Sequence, residues 1–171
     1  MKYIYIITSF LLILVNIGCK QPNRPPDIPF ETDMSPDMLP IYTSYVPVKI
    51  DIMPLTEFVD AGDAQQSKIN IYVSLIDPFG SQIKSPGIFR CELYESMKRS
   101  AEPKGKRLFI WPDIDLTDPI ANNDSWQDFL RAYEFNFTCG QLKDQEYILQ
   151  VTCLCPNGKR LSSEFTLKPT E

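Results

Sequence analysis

The chain has 171 residues, no histidine, and 17 Lys and Arg against 22 Asp and Glu, a formal net charge of −5 at pH 7. Without histidine there can be no Ser-His-Asp triad, no histidine general base and no histidine-bearing zinc site. The acidic balance argues against nucleic acid, whose binders need a basic face.

The chain opens on an uncharged run from residue 3 to residue 18, preceded by Lys2. That run falls short of the roughly 20 apolar residues a membrane-spanning helix needs. It also lacks the polar positions every third or fourth residue that a packed core helix shows. A short basic start followed by such a run has the form of a signal peptide. The stretch FLLILVNIGCK ends on small Gly18 and then Cys19. In this it resembles bacterial lipoproteins, which are cleaved just before a cysteine whose thiol then carries a diacylglycerol. Ile17 and Gly18 fit the pattern, while Asn16 stands where an apolar residue is usual. The resemblance implies a signal peptide over 1–18, a lipid on Cys19, and a membrane-anchored place in the bacterial cell envelope.

Acyl chains held in a bilayer need a spacer behind them. Pro22, Pro25, Pro26, Pro29, Pro36, Pro40 and Pro47 punctuate the next stretch. Proline removes a backbone donor and pushes its predecessor toward extended geometry, so residues 19–45 are expected to form a semi-rigid tether. Residues 46–171 remain for one domain of ordinary size, without internal repeats. Loss of Lys2 with the signal brings the net charge to −6.

The domain alternates apolar and polar residues. The period of two runs through 46–52 (Val46, Val48, Ile50, Ile52), 68–77 (Ile69, Ile71, Val73, Leu75) and 88–94 (Phe89, Cys91, Leu93). It resumes in 132–139 (Tyr133, Phe135, Phe137), 147–153 (Tyr147, Leu149, Val151, Cys153) and 161–167 (through Phe165), with a shorter strand at 106–111. Such a period puts one face in a core and one in water. Asp77-Pro78-Phe79-Gly80, Ser85-Pro86-Gly87 and Pro156-Asn157-Gly158 supply turn chemistry. In DSWQDFLRAY, Trp126, Phe129, Leu130 and Tyr133 recur at helical spacing, which predicts a short helix there, capped by Asp124 or Ser125. The sum is an all-β antiparallel sandwich of about seven strands, immunoglobulin-like or transthyretin-like in architecture, with one short crossover helix. No Trp sits between two core cysteines at the antibody spacing, so no family within that architecture is implied.

The last hairpin can be put in register. A two-residue Asn157-Gly158 turn would set the apolar side of one strand beside the polar side of the other. A three-residue loop, Pro156-Asn157-Gly158, instead pairs Cys155 with Lys159, Cys153 with Leu161, Leu149 with Phe165 and Tyr147 with Leu167. Proline first and a left-handed glycine third are what a type I turn with a bulge requires.

Several residues invite chemistry. Cys91, Cys139, Cys153 and Cys155 remain after lipidation, and an exported setting favours disulfides. Cys139 is too far along its strand to reach Cys153 or Cys155, whereas an immunoglobulin-like order brings Cys91 near Cys153. The same distances oppose a four-cysteine metal site. Ser81-Gln82-Ile83-Lys84 matches the Ser-x-x-Lys pattern of penicillin-binding enzymes, but in an all-β context a chance match is the better reading. Asp113, Asp115 and Asp118 form a weak calcium candidate without the EF-hand spacing, and otherwise suit turns and caps. No metal and no cofactor are expected. Lys98, Arg99, Lys104, Lys106 and Arg107 make a basic patch on an acidic protein, a candidate contact for an anionic partner.

No catalytic constellation emerges. The expected function is a lipid-anchored, non-catalytic binding or interaction module of the cell envelope, meeting the membrane through its anchor and an anionic envelope polymer or a protein through its domain. Alternatives are an accessory subunit of an envelope assembly, or a carbohydrate-acting enzyme built on paired carboxylates. Cys19→Ser should move the protein from the membrane to the soluble fraction on cell fractionation; equal membrane retention of the variant would count against lipidation at Cys19.

Overall fold

The structure, a computed structural model, describes residues 45–60, 67–97, 102–140, 142–143 and 145–168. The expected signal peptide, Cys19, the tether up to residue 44, Lys98 and Arg99 lie outside the described residues. In chain order the elements are β1 (Lys49–Ile52), β2 (Glu57–Asp60), β3 (Ser67–Ile76), β4 (Gln82–Ile83), β5 (Ile88–Ser96), β6 (Lys104–Ile110), β7 (Ile114–Asp115), α1 (Pro119–Asp124), β8 (Trp126–Gln127), β9 (Ala132–Cys139), β10 (Tyr147–Leu154) and β11 (Arg160–Leu167).

Two antiparallel sheets pack together. The first runs β1-β3-β9-β8, with β2 and β4 also paired to β3; the second runs β11-β10-β5-β6, with β7 paired to β5. All seven expected strands are present. Among them, the first, second and fifth share one sheet, and the seventh, sixth, third and fourth form the other in that order. This is a Greek-key order of the immunoglobulin-like kind, with the fourth strand carried at the edge of the second sheet. A matching detail sits at the start of β10, where the Tyr147 hydroxyl donates to the Lys143 carbonyl at 2.8 Å. Such a bond ties the corner between the two sheets to the strand it feeds.

The alternating residues fill the core as expected. Ile69, Ile71, Val73 and Leu75 of β3, Phe89 and Leu93 of β5, and Leu149, Val151 and Cys153 of β10 are fully buried. Each large side chain among them contributes about 1.5–3 kcal/mol relative to exposure. Phe89 packs against Tyr133 and Phe135 of the opposite sheet, each at 5.3 Å between ring centroids. Trp111 stacks on Phe137 at 4.8 Å and closes one side of the sandwich. Of the alternating set at 46–52, only Ile50 and Ile52 belong to the core; Val48 is 39 % exposed, because β1 begins only at Lys49.

Two turns use the same device. Asp77 N–H donates to the Ser81 carbonyl (3.0 Å) and Gly80 N–H to the Asp77 carbonyl (3.1 Å). In the last hairpin Cys155 N–H donates to the Lys159 carbonyl (2.8 Å) and Gly158 N–H to the Cys155 carbonyl (2.9 Å). Each loop places proline second in the turn and a glycine in the left-handed region, Gly80 at φ 87° and Gly158 at φ 79°. The resulting register sets Cys153 opposite Leu161, Leu149 opposite Phe165 and Tyr147 opposite Leu167, as the hydrophobic pattern requires.

The helix is not where helical spacing put it. α1 spans Pro119–Asp124, capped by Asp118, whose carboxylate accepts from Ala121 N–H at 3.1 Å, with proline opening the first turn. Trp126 and Tyr133, expected on one helix face, are instead a cross-strand pair, with rings 5.0 Å apart and edge-on. A separation of seven residues satisfies both two helical turns and a hairpin with a four-residue connection, so the spacing was ambiguous. Arg131, left-handed at φ 52°, closes that hairpin. α1 still connects the second sheet to the first, as a crossover.

The expected Cys91–Cys153 bridge is not formed; Cys91, Cys139, Cys153 and Cys155 are free and buried. β5 and β10 are adjacent and antiparallel as expected, but Cys91 faces Val151 and Cys153 faces Phe89. The two cysteines are therefore diagonal neighbours, about 7–8 Å apart at Cα, at or beyond the reach of a disulfide. Burial pushes the Cys91 thiol up to about 12 and Cys139 up to about 11, and raises Cys153 and Cys155 as well. These are small apolar core groups rather than nucleophiles.

Replacing Gly158 by Val should destabilise the domain by about 1–2 kcal/mol in chemical denaturation, through left-handed strain alone, because a Cβ there would meet no atom within 4 Å. An unchanged denaturation midpoint would contradict the loop assignment.

Candidate functional site

Register and pleat together decide what the second sheet shows to water. With Phe89, Cys91 and Leu93 turned inward, Arg90 and Glu92 of β5 face out. The β10–β11 pairing then lines up Gln150 with Glu164, Thr152 with Ser162 and Leu154 with Arg160 on the same outer face. The result is a shallow groove of about 270 Å³ along β5, β10 and β11, with Ile88 and Leu154 as its apolar part and Arg90, Glu92, Asp113, Gln150, Thr152, Arg160 and Ser162 as its polar part.

The groove carries ordered charge. Arg90 grips Asp113 through two parallel bonds, Nε to Oδ1 at 2.8 Å and Nη2 to Oδ2 at 2.7 Å. That grip holds the Asp113 carboxyl below the usual carboxylate range. From the neighbouring edge strand, Arg107 Nη1 bonds Glu92 Oε1 at 2.8 Å. Lys104 Nζ reaches across the face to Glu164 Oε1 at 2.6 Å and Gln150 Oε1 at 3.1 Å, lying 5.5 Å over the Tyr94 ring. The Glu164 bond raises the lysine's affinity for its proton. Gln150 Nε2 in turn donates to Ser162 Oγ at 3.0 Å, and Thr152 and Ser162 hydroxyls lie 3.3 Å apart. Arg160 is exposed and forms no ion pair among the described residues.

This geometry relocates the expected basic patch. Lys104 and Arg107 do not stand free in a loop; they sit on β6, an edge strand interrupted by register irregularities at Leu93/Tyr94 and Tyr94/Ser96. Lysines and bulges on an edge discourage further strand pairing. Both residues are paired with acids of the outer face, and Lys106 remains exposed beside them.

The three aspartates of the calcium candidate have separate tasks. Asp113 serves Arg90. Asp115 accepts from the Thr117 backbone at 2.9 Å and its hydroxyl at 2.6 Å, which lowers its pKa. Asp118 caps α1. Among the described residues no three carboxylates or thiols converge. In the Ser81–Lys84 stretch, Lys84 Nζ bonds Asn123 Oδ1 at 2.7 Å and sits 5.9 Å over Trp126. It is thus engaged with α1 and the β8 hairpin.

Sequence reasoning did not single out Gln150, Thr152, Arg160 or Ser162, although the hairpin register already implied that they share an outer face. What it lacked was the register of β5 against β10 and the placement of Asp113 across from Arg90. No family model, no characterised protein and no solved structure matches this chain.

Proposed function

We propose that the protein is a lipid-anchored, non-catalytic binding module of the bacterial cell envelope, held by a diacylglycerol on Cys19 and taking an anionic envelope polymer along the outer face of β5, β10 and β11. The observation that carries this reading is the groove: a concave face whose cations are mostly held in place by acids, with Arg160 left open beside hydroxyl and amide groups. Positioned side chains of this kind recognise a polymer bearing hydroxyls and negative charge at little ordering cost. Screening over about 8 Å at physiological salt lets the local charge act despite the acidic whole. Lys106, exposed on the adjoining edge strand β6, adds a further cation beside this face.

The two acids of the groove support binding over hydrolysis. Glu92 and Asp113 are each bonded to an arginine, and the Asp113 carboxyl is shifted downward, whereas a general acid needs its pKa raised.

Arg160→Glu should weaken binding to a purified anionic cell-wall glycan about tenfold, or roughly 1.4 kcal/mol, as measured by co-sedimentation at fixed low salt. Unchanged binding, or hydrolysis of the glycan by the unsubstituted protein, would overturn the proposal.

A further inference from the structure

Among the described residues the four most exposed large apolar side chains are Phe129 at 84 %, Phe79 at 75 %, Ile120 at 65 % and Tyr45 at 63 %. They come from four separate segments: the β8–β9 connection, the β3–β4 turn, α1, and the entry into the domain. Strand register gathers these segments at one end of the sandwich. β1 starts opposite the end of β3, at Lys49 and Ile76. β9 starts at that end too, with Val73 opposite Tyr133, and Arg131 Nη2 donates to the Gln82 carbonyl at 2.9 Å. Lys84 ties α1 to the same place through Asn123. Tyr45 and Phe79 lie 6.4 Å apart between ring centroids.

The tips are presented on braced supports. Asp77 Oδ1 accepts from Phe79 N–H at 2.9 Å and from Ser81 N–H at 2.8 Å, so the turn that carries Phe79 is held from beneath. Rigid turns that display aromatic and aliphatic tips around a polar body suit the boundary between lipid headgroups and acyl chains. Charges of both signs surround them, Lys49, Lys84 and Arg131 with Asp118, Asp124 and Asp128. Attraction to anionic lipid is therefore not the driving term; apolar contact is.

We infer that this end of the domain seats on the surface of the lipid bilayer, through Tyr45, Phe79, Ile120 and Phe129. The inference rests on the lipid-anchor reading: the chain running from Cys19 enters the domain at Tyr45, so anchor and apolar tips address one surface. Seated this way, the groove on the second sheet stands along the side of the domain, open to a polymer beside the membrane.

The test uses the mature lipidated chain in vesicles of phosphatidylcholine, a zwitterionic lipid, with a nitroxide-labelled phosphatidylcholine as quencher. Tryptophan is introduced by Phe129→Trp, Phe79→Trp or, at the opposite end, Met97→Trp; all three positions are at least half exposed, so none carries the fold. The added emission is read as the difference from the unsubstituted chain. F129W and F79W should show blue-shifted emission that the nitroxide quenches, and M97W should show neither. Equal quenching at both ends, or none at either tip, overturns the seat. A mature chain shown by mass spectrometry to carry no diacylglycerol defeats the anchor and the seat together, whereas an anchored chain with unquenched tips defeats the seat alone.

Discussion

One buried hydroxyl organises the chain's passage between its two sheets. Tyr133, fully buried in β9, donates to the Ser85 carbonyl at 2.8 Å and accepts from the Ser85 N–H at 2.8 Å. Asn122 of α1 lies 3.2 Å from the same hydroxyl and donates to the carbonyls of Ser85 and Leu116 at 3.2 and 2.9 Å. Ser85 belongs to the crossing from the first sheet to the second, and Leu116 and Asn122 to the crossing back. A strand ladder cannot satisfy backbone groups where the chain leaves a sheet, and leaving them unpaired in a core costs about 1–3 kcal/mol each. The Tyr133–Ser85–Asn122 cluster meets that need for both crossings at once.

Much of the rest of the molecule is placed by those crossings. Gly87, just past Ser85, is crowded by Cys153: a Cβ there would lie 2.7 Å from its sulfur, and the Gly87 carbonyl accepts from Leu116 N–H at 2.9 Å. β5 therefore starts tight against β10, and β7 lies beside β5, which brings Asp113 to Arg90. The polar groove is the outer consequence of this inner packing. The same crossings carry α1 and the turn beside β4 to one end of the sandwich, where the exposed apolar tips collect. The polar groove and the end that gathers the exposed apolar tips are thus two outcomes of one buried constraint.

Much of this was legible in the residues. The period of two marked seven strands and most of their buried faces, and the Pro156-Asn157-Gly158 loop fixed the last hairpin because the two-residue alternative puts apolar beside polar. The four short strands were not legible. A segment of two to four residues has no period to detect, and Glu57–Asp60 buries Phe58 to 6 % exposure with little pattern around it. The helix was misplaced because Trp126 and Tyr133 answer to two geometries, while Asp118-Pro119, the true start signal, lay in a stretch rich in turn residues. The expected bridge depended on a stagger of two residues between β5 and β10, which no intrastrand pattern reveals. The basic residues near 104–107 were recognisable as a cluster, but their pairing with Glu92 and Glu164 required knowing which strands lie side by side.

The most direct test is a double-mutant cycle on the buried cluster, with Tyr133→Phe and Asn122→Ala read by chemical denaturation. Tyr133→Phe keeps the ring packing and removes only the hydroxyl, so a loss of about 2–3 kcal/mol with an unchanged denaturant slope is expected. The two substitutions should be strongly non-additive, because each breaks the same shared set of bonds. A loss below about 0.5 kcal/mol for Tyr133→Phe, or simple additivity of the pair, would contradict the claim that this cluster ties the two sheet crossings together.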